Sequence, residues 1–148
     1  MKSIAAELDR IVSQVEPTLT GLPDPDTARK PSPREWSHRE ILGHLIDSAA
    51  NNHQRIVRAA TGGEPQPPYH QNDWVEFQRY AESPWPPLVA LWAAANRHLV
   101  RVIELIPADA GGALCTAGTE RPVTLEFAVT DYLRHLKHHL KDILGEEL

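Results

Sequence analysis

The 148-residue sequence has a single cysteine, Cys115, so it can form neither an intramolecular disulfide nor a cluster of thiolate metal ligands. It has no run of about 18 or more apolar residues, and its first ten residues are too charged for a signal peptide. Its Lys and Arg residues are not clustered and its formal net charge is −5, which argues against nucleic-acid binding. We therefore expect a cytoplasmic protein with no membrane and no nucleic-acid partner, forming one domain over residues 1–148.

Four segments have apolar residues at intervals of three and four, the spacing of amphipathic helices. These segments are 3–19, 37–61, 88–106 and 124–144. Ser37 and Glu40 form a capping-box pattern at the start of the second segment, and Thr124 is the predicted N-cap of the fourth. No segment shows a convincing strand pattern. The sequence thus predicts an all-α protein, a four-helix bundle.

Two long connections separate these helices. The first, from Gly21 to Pro33, is rich in Pro and Asp and is predicted to hold no regular structure; Pro17 could also end the first helix early. The second, residues 64–87, is aromatic and could contain a short helix over 73–81. We expect its aromatic residues to cover the mouth of the bundle, with packing at the edge of the core as the alternative. These residues are Tyr69, Trp74 and Trp85.

The last helix carries two histidines at a spacing that suits metal binding. His135 and His139 are four residues apart, so they lie about 40° apart around the helix axis and about 6 Å apart along it. Neutral imidazole is the commonest side-chain metal ligand, and such a pair can reach one ion. The alternative is a hydrogen-bonded pair at the edge of the core. His138 points about 100° away from His139, and we expect it to be solvated.

The second helix has an unusual polar side next to its apolar positions. Its members are His44, Asp47, Ser48, Asn51 and Arg55. A solvated helix face usually carries Lys and Glu, so small carboxylate, amide, hydroxyl and imidazole groups indicate a lined cavity. His44 would supply a third imidazole from a facing helix. His98, on the third helix, is a weaker candidate because it has no helical partner of its own kind.

Three segments of the chain resemble the DinB/YfiT-like superfamily of bacterial metalloenzymes. They are residues 36–49 (WSHREILGHLIDSA), 74–75 (WV) and 131–143 (DYLRHLKHHLKDI), and the resemblance extends over essentially the whole chain. It implies a bundle of up-down-down-up order with one long crossover, and often a homodimer. It also implies a divalent metal held by three histidines, which by position are His44, His135 and His139.

One position departs from the family pattern. Asp142 stands where the family commonly has Gln, three residues after the last ligand. Because such outer groups orient the ligating imidazoles and tune the metal, the sequence leaves the ion open among Zn, Ni, Mn and Fe.

Three protein ligands leave a coordination position open, as in catalytic metal sites. Activation of water would make the protein a hydrolase, and activation of a low-molecular-weight thiol would make it a thiol-dependent transferase or isomerase, as the resemblance suggests. Asp47 is the candidate general base or orienting group, with a surface ion pair to Arg55 or Arg58 as the alternative.

The remaining candidates concern the substrate, which we expect to be a small molecule. Asn51 and Arg55 are predicted to hold its polar or anionic part, and Tyr69 and Trp74 to cover it. The competing hypothesis is a non-enzymatic bundle that binds metal or mediates dimerisation. A DNA-damage-related binding protein fits poorly because the chain is acidic.

Overall fold

The structure, a computed structural model, describes residues 1–116 and 121–146. Along these residues it has six α-helices and two short strands. They are α1 (Lys2–Thr20), α2 (Asp24–Thr27), α3 (His38–Ala60), α4 (Gln71–Phe77), α5 (Trp85–Glu104), β1 (Leu114–Thr116), β2 (Pro122–Thr124) and α6 (Leu125–Leu144). Single 3₁₀ turns occur at Tyr80–Glu82 and Ala110–Gly112.

The four long helices form a closed ring in which α5 contacts α1 and α3, and α6 contacts α3 and α1. At the start of α5, the indole of Trp85 donates to the carbonyl of Leu19 at the end of α1, so these two helices are antiparallel. His44, in the first half of α3, meets His135, in the second half of α6, which makes α3 and α6 antiparallel as well.

Helices α3 and α5 run parallel. Arg39, at the start of α3, donates to the carbonyl of Ala81 just ahead of α5, and His53 near the end of α3 contacts His98 near the end of α5. The chain between two parallel neighbours must return along the whole bundle, which is why the connection over 61–84 is long. These directions confirm the predicted four-helix bundle of up-down-down-up order.

The buried capping box at the start of α3 is confirmed. Ser37 Oγ accepts from the Glu40 amide at 3.3 Å, and the Glu40 carboxylate accepts from the Ser37 amide and hydroxyl at 2.8 Å each. The capping box thus fixes the start of α3, two turns before His44.

Ser37→Ala is therefore expected to lower the free energy of unfolding by about 1 to 2 kcal/mol, since it removes a cap and leaves a buried carboxylate with fewer donors. Urea denaturation would measure the loss. Ser13→Ala, on the exposed side of α1, should change stability by less than about 0.5 kcal/mol. Equal losses in the two variants would contradict the assigned role of the cap.

The first connection is more regular than predicted. It contains the four-residue helix α2, because Pro25 falls in the first helical turn, where its missing N–H costs nothing. Pro17 does not end α1, which continues to Thr20. The short helix of the second connection, α4, spans Gln71–Phe77 rather than 73–81.

Two further boundaries differ from the sequence prediction. Helix α5 starts at Trp85, three residues early, because Pro86 and Pro87 fit the first turn of a helix. The prediction of no strand was wrong for residues 114–116 and 122–124, where Cys115 pairs with Val123 in a short antiparallel ladder. Strands of three residues are too short to show an alternating pattern.

The apolar stripes of the four long helices meet in one core. Its largest fully buried side chains include Trp85, Trp92, Leu42, Leu99 and Leu136. Within residues 1–116 and 121–146, no helix is both long enough and apolar enough to cross a membrane.

Candidate metal centre

Three histidines converge between α3 and α6. His44 comes from α3, and His135 and His139 come from successive turns of α6. One ligand nitrogen from each lies within 4.8 Å of the others, and the Nε2 atoms of His44 and His135 are 3.1 Å apart. A metal with bonds of about 2.0 to 2.1 Å in tetrahedral geometry holds its nitrogens roughly 3.3 Å apart. The described side chains therefore suit a small divalent cation.

The three imidazoles are held in the neutral form that binds metal. Burial, followed by the proximity of His135 and His139, lowers the pKa of His44 to about 3. Burial and His139 lower the pKa of His135 to about 4. Burial also lowers the pKa of His139, although Asp142 opposes the shift. Protons thus compete weakly for these nitrogens at neutral pH.

The outer contacts of the ring nitrogens differ among the histidines. His139 Nδ1 lies 3.2 Å from the Asp142 carboxylate, which leaves its Nε2 free for a metal in the pattern common among metal-binding histidines. Asp142 thus occupies the outer position that the family commonly gives to Gln. Among the described residues, the buried Nδ1 of His44 has no hydrogen-bond partner. The Trp36 ring covers His44 at a centroid distance of 5.1 Å.

A cavity of about 420 Å³ opens beside the histidines between α3 and α6. Residues 69–73, which belong to the crossover between α3 and α5 (residues 61–84), form its outer wall. Its wall from α3 consists of His44, Ser48, Asn52 and Arg55, and its wall from α6 consists of Ala128, Asp131, Tyr132 and His135. The cavity is therefore polar along α3, with the histidines at one end and Arg55 at the other.

A second cavity, of about 500 Å³, reaches the histidines from the other side. It is lined by the segment before α3, including Trp36, and by His139 and Asp142 of α6. Asn72 of α4 lines both cavities. The candidate metal centre thus lies between two cavities, one lined by His44 and His135 and the other by His139.

Of the four predicted substrate residues, Arg55 and Tyr69 line the 420 Å³ cavity that His44 and His135 also line. Asn51 lines a separate groove toward α5, and its amide donates to the backbone carbonyl of Asp47. Trp74 lies behind Tyr69 at a centroid distance of 4.8 Å and lines the same outer groove as Asn51.

Asp47, the predicted general base, has contacts of a different kind. One carboxylate oxygen accepts from Gln78 at 2.8 Å and from the Tyr80 hydroxyl at 2.9 Å, and the other is buried without a partner among the described residues. Burial raises the pKa of Asp47. It does not line either cavity beside the histidines, nor does it pair with Arg55 or Arg58, the alternative expected from the sequence. Its contacts fasten the crossover to α3.

The other residues singled out in the sequence lie away from the centre. Trp85 is 1% exposed in the core between α1 and α5, so it does not cover the cavity. His98 contacts His53 on an outer groove. His138 is exposed, although its ring lies 5.0 Å from that of His139. Cys115 is buried, and burial raises the pKa of its thiol.

Several residues that line the cavities were not predicted from the sequence. Asn52 and Tyr132 line the 420 Å³ cavity, and Asn72 lines both cavities. Asn52 follows His44 at twice the four-residue interval, so the helical period could have identified it. The position of Asn72 depends on how the crossover packs, and no spacing in the sequence reveals it.

A four-helix bundle with three convergent imidazoles beside a cavity defines a small helical protein with a candidate metal centre. The chain belongs to the DinB superfamily, whose sequence model matches residues 7–143. This confirms the family suggested by the three motifs. No curated protein matches the sequence.

Solved structures show the same fold. YfiT from Bacillus subtilis, described as a probable metal-dependent hydrolase with an unusual four-helix bundle topology, superimposes with a TM-score of 0.84. It is 19% identical, over 97% of this chain and 83% of YfiT. A mycothiol-dependent maleylpyruvate isomerase gives a TM-score of 0.80 at 15% identity, as does its single-residue variant. The alignment covers 97% of this chain but only 61% of the isomerase.

Proposed function

We propose that this protein is a divalent-metal-dependent enzyme that activates water or a low-molecular-weight thiol for attack on a small-molecule substrate. The observation that carries the proposal is the convergence of His44, His135 and His139, of which His44 and His135 line one end of the 420 Å³ cavity. A purely structural metal site needs no such adjoining space.

The chain's own residues supply binding and orientation. His44 and the two α6 histidines would hold the cation, and Asp142 fixes the ring of His139. A bound divalent ion lowers the pKa of a coordinated water or thiol, so that a nucleophile exists at neutral pH. Tyr69 lines the cavity; burial raises its pKa to about 12, so its hydroxyl stays protonated and can donate to a substrate.

The similar solved structures support both candidate nucleophiles, water and a thiol. YfiT supports a hydrolase and the mycothiol-dependent isomerase supports thiol chemistry, so both remain within the proposal. The two cavities favour the thiol reaction, because a thiol on one side and its co-substrate on the other could meet at the histidines. Asp47 as general base and the homodimer stay predictions.

Metal content tests this function directly. Protein purified without a polyhistidine tag and incubated with Zn, Ni, Mn or Fe should retain about one equivalent of one ion, as a single three-histidine site requires. His44→Ala and His139→Ala should each lose it, whereas His98→Ala, which removes a histidine distant from the centre, should not. Reloaded protein is then assayed with ester and amide substrates, with and without added thiols.

Two results would contradict the proposal. One is the absence of bound metal in the parent protein after incubation with all four ions. The other is equal metal retention in the parent and in a folded His139→Ala variant, which would place the ion elsewhere. Either result would favour the non-enzymatic bundle. Circular dichroism of each variant separates loss of the site from loss of the fold.

A further inference from the structure

The 420 Å³ cavity holds a buried guanidinium at the end opposite the histidines. Arg55 is 7% exposed, and its Nε is buried without a hydrogen-bond partner in the part of the chain that the structure describes. Its one hydrogen bond there runs from Nη1 to the Asn52 amide oxygen at 3.5 Å, the upper limit for such a contact. Most of the N–H donors of this side chain therefore have no acceptor among the described residues, and the side chain lines the cavity.

No anion among the described residues compensates the charge of Arg55. Its nearest titratable neighbours are Tyr69 and Cys115, and burial raises the pKa of both groups, so both are neutral at pH 7. Two carboxylates line the cavity, but Asp131 is paired with Arg134 and Asp73 makes no ion pair with Arg55. A guanidinium does not deprotonate to escape this situation, and a buried charge without a partner is costly.

The position of Arg55 on α3 sets its distance from the histidines. Residues 44 and 55 are three turns apart on one face, so their backbones are separated by about 16 Å along the axis. Helical side chains lean toward the N-terminus, which brings the guanidinium over Asn52, as the contact between them shows. A group held by Arg55 would thus lie roughly 10 to 15 Å from the imidazoles.

We propose that Arg55, oriented by the amide oxygen of Asn52, forms an anion site that anchors the substrate by a terminal carboxylate or phosphate, while its reacting end lies at the histidines. The substrate class is then an elongated small molecule with an anionic group at the far end. The assignment of the reacting end rests on the proposed function. The anion site itself needs no metal, so it can be tested separately.

The test uses the full chain freed of metal by a chelator, at constant ionic strength set with chloride. Inorganic phosphate and glutarate are titrated by calorimetry into the parent, Arg55→Met and Arg55→Lys. The parent should bind at least one of them saturably, and Arg55→Met should weaken that binding about 10- to 100-fold, the usual effect of losing hydrogen bonds to a charged group. Arg55→Lys should recover part of it, since it restores the charge without the fork of donors.

Two controls address other origins of binding. Arg58→Met removes a neighbouring arginine that bonds Gln54 and Glu64, and it should leave the affinity within about twofold. Glu120 lies outside the described residues, so Glu120→Gln tests whether this carboxylate competes for Arg55. The affinity should not change in this variant; a large increase would show that Arg55 already has a partner within the chain and would overturn the anion site.

A metal-loaded arm separates the two proposals. With metal present, suberate, whose two carboxylates can reach toward both ends, should bind at least tenfold more tightly than butyrate, because two contacts replace one. His44→Ala should abolish this advantage and leave the binding of phosphate or glutarate to the metal-free protein unchanged. If the protein bound no metal but still bound phosphate or glutarate through Arg55, the proposed function would fail and the anion site would stand. Absence of saturable binding in the parent, or equal binding by Arg55→Met, would overturn the anion site whatever the metal result.

Discussion

Metal-free protein is expected to lose about 4 kcal/mol of unfolding free energy when the pH falls from 7 to 5. In the unfolded chain, histidine takes up a proton near pH 6.5. In the folded chain the pKa of His44 is about 3 and that of His135 about 4, so both remain neutral at pH 5. The unfolded state therefore binds more protons, and stability falls as the pH drops below about 6.5. At pH 5, which is about 1.5 units below that value, each histidine accounts for about 2 kcal/mol.

Urea denaturation in the presence of a chelator, at pH 7 and at pH 5, measures this dependence. His44→Ala and His135→Ala should each reduce the difference between the two pH values by about 2 kcal/mol, even if they change stability at pH 7. His138→Ala, which alters an exposed neighbour on the same helix, should keep the full difference. A His44→Ala variant with an undiminished difference would show that other groups cause the acid sensitivity.

The main helices were predictable because their signals are local. The capping box at Ser37 and the N-cap at Thr124 lie where the sequence placed them, and most of the periodic apolar residues of each long helix face the core. Boundaries shifted where Pro entered a first turn, as at Trp85. The family motifs supplied the order of the helices, which hydrophobic periodicity alone does not determine.

The cavity was harder to predict, because adjacent residues of one helix point about 100° apart. Both Asp47 and Ser48 are polar and buried, so composition does not tell which of them faces α6. The structure shows that Ser48 shares a wall with His44, whereas Asp47 turns toward the crossover. A prediction based on one turn from His44 could choose either side, and only the packing of the neighbouring helices decides between them.

The contacts of the crossover were also not predictable, because they join residues that are far apart in the sequence. Gln78 and Tyr80 bond Asp47 across more than thirty residues of sequence. Neither was singled out in the sequence, since nothing in residues 64–84 marks them as partners of α3. The contact also explains a glycine in the middle of a helix. Gly43 immediately precedes His44, and the Tyr80 ring lies against it.

Gly43→Ala is accordingly expected to destabilise the protein by about 2 to 3 kcal/mol. A Cβ at this position would lie 2.2 Å from Cγ and Cδ2 of Tyr80, a distance that requires the ring to move. Alanine in a helix interior is favoured over glycine by about 1 kcal/mol, which opposes the effect. Displacement of a ring that is 7% exposed, with loss of its hydrogen bond to the Asp47 carboxylate, outweighs that gain.

A double-mutant cycle can identify the cause by the sign of the change. In a Tyr80→Ala background the clash is absent, so Gly43→Ala should stabilise the protein by about 1 kcal/mol through helix propensity. Gly21→Ala, whose nearest neighbours would be ordinary contacts at 3.5 Å, should change stability by less than about 0.5 kcal/mol in either background. If Gly43→Ala destabilised both backgrounds equally, the Tyr80 ring would not be what requires glycine. If the sign reverses, the close approach of the crossover to α3 is what holds the wall of the cavity beside His44.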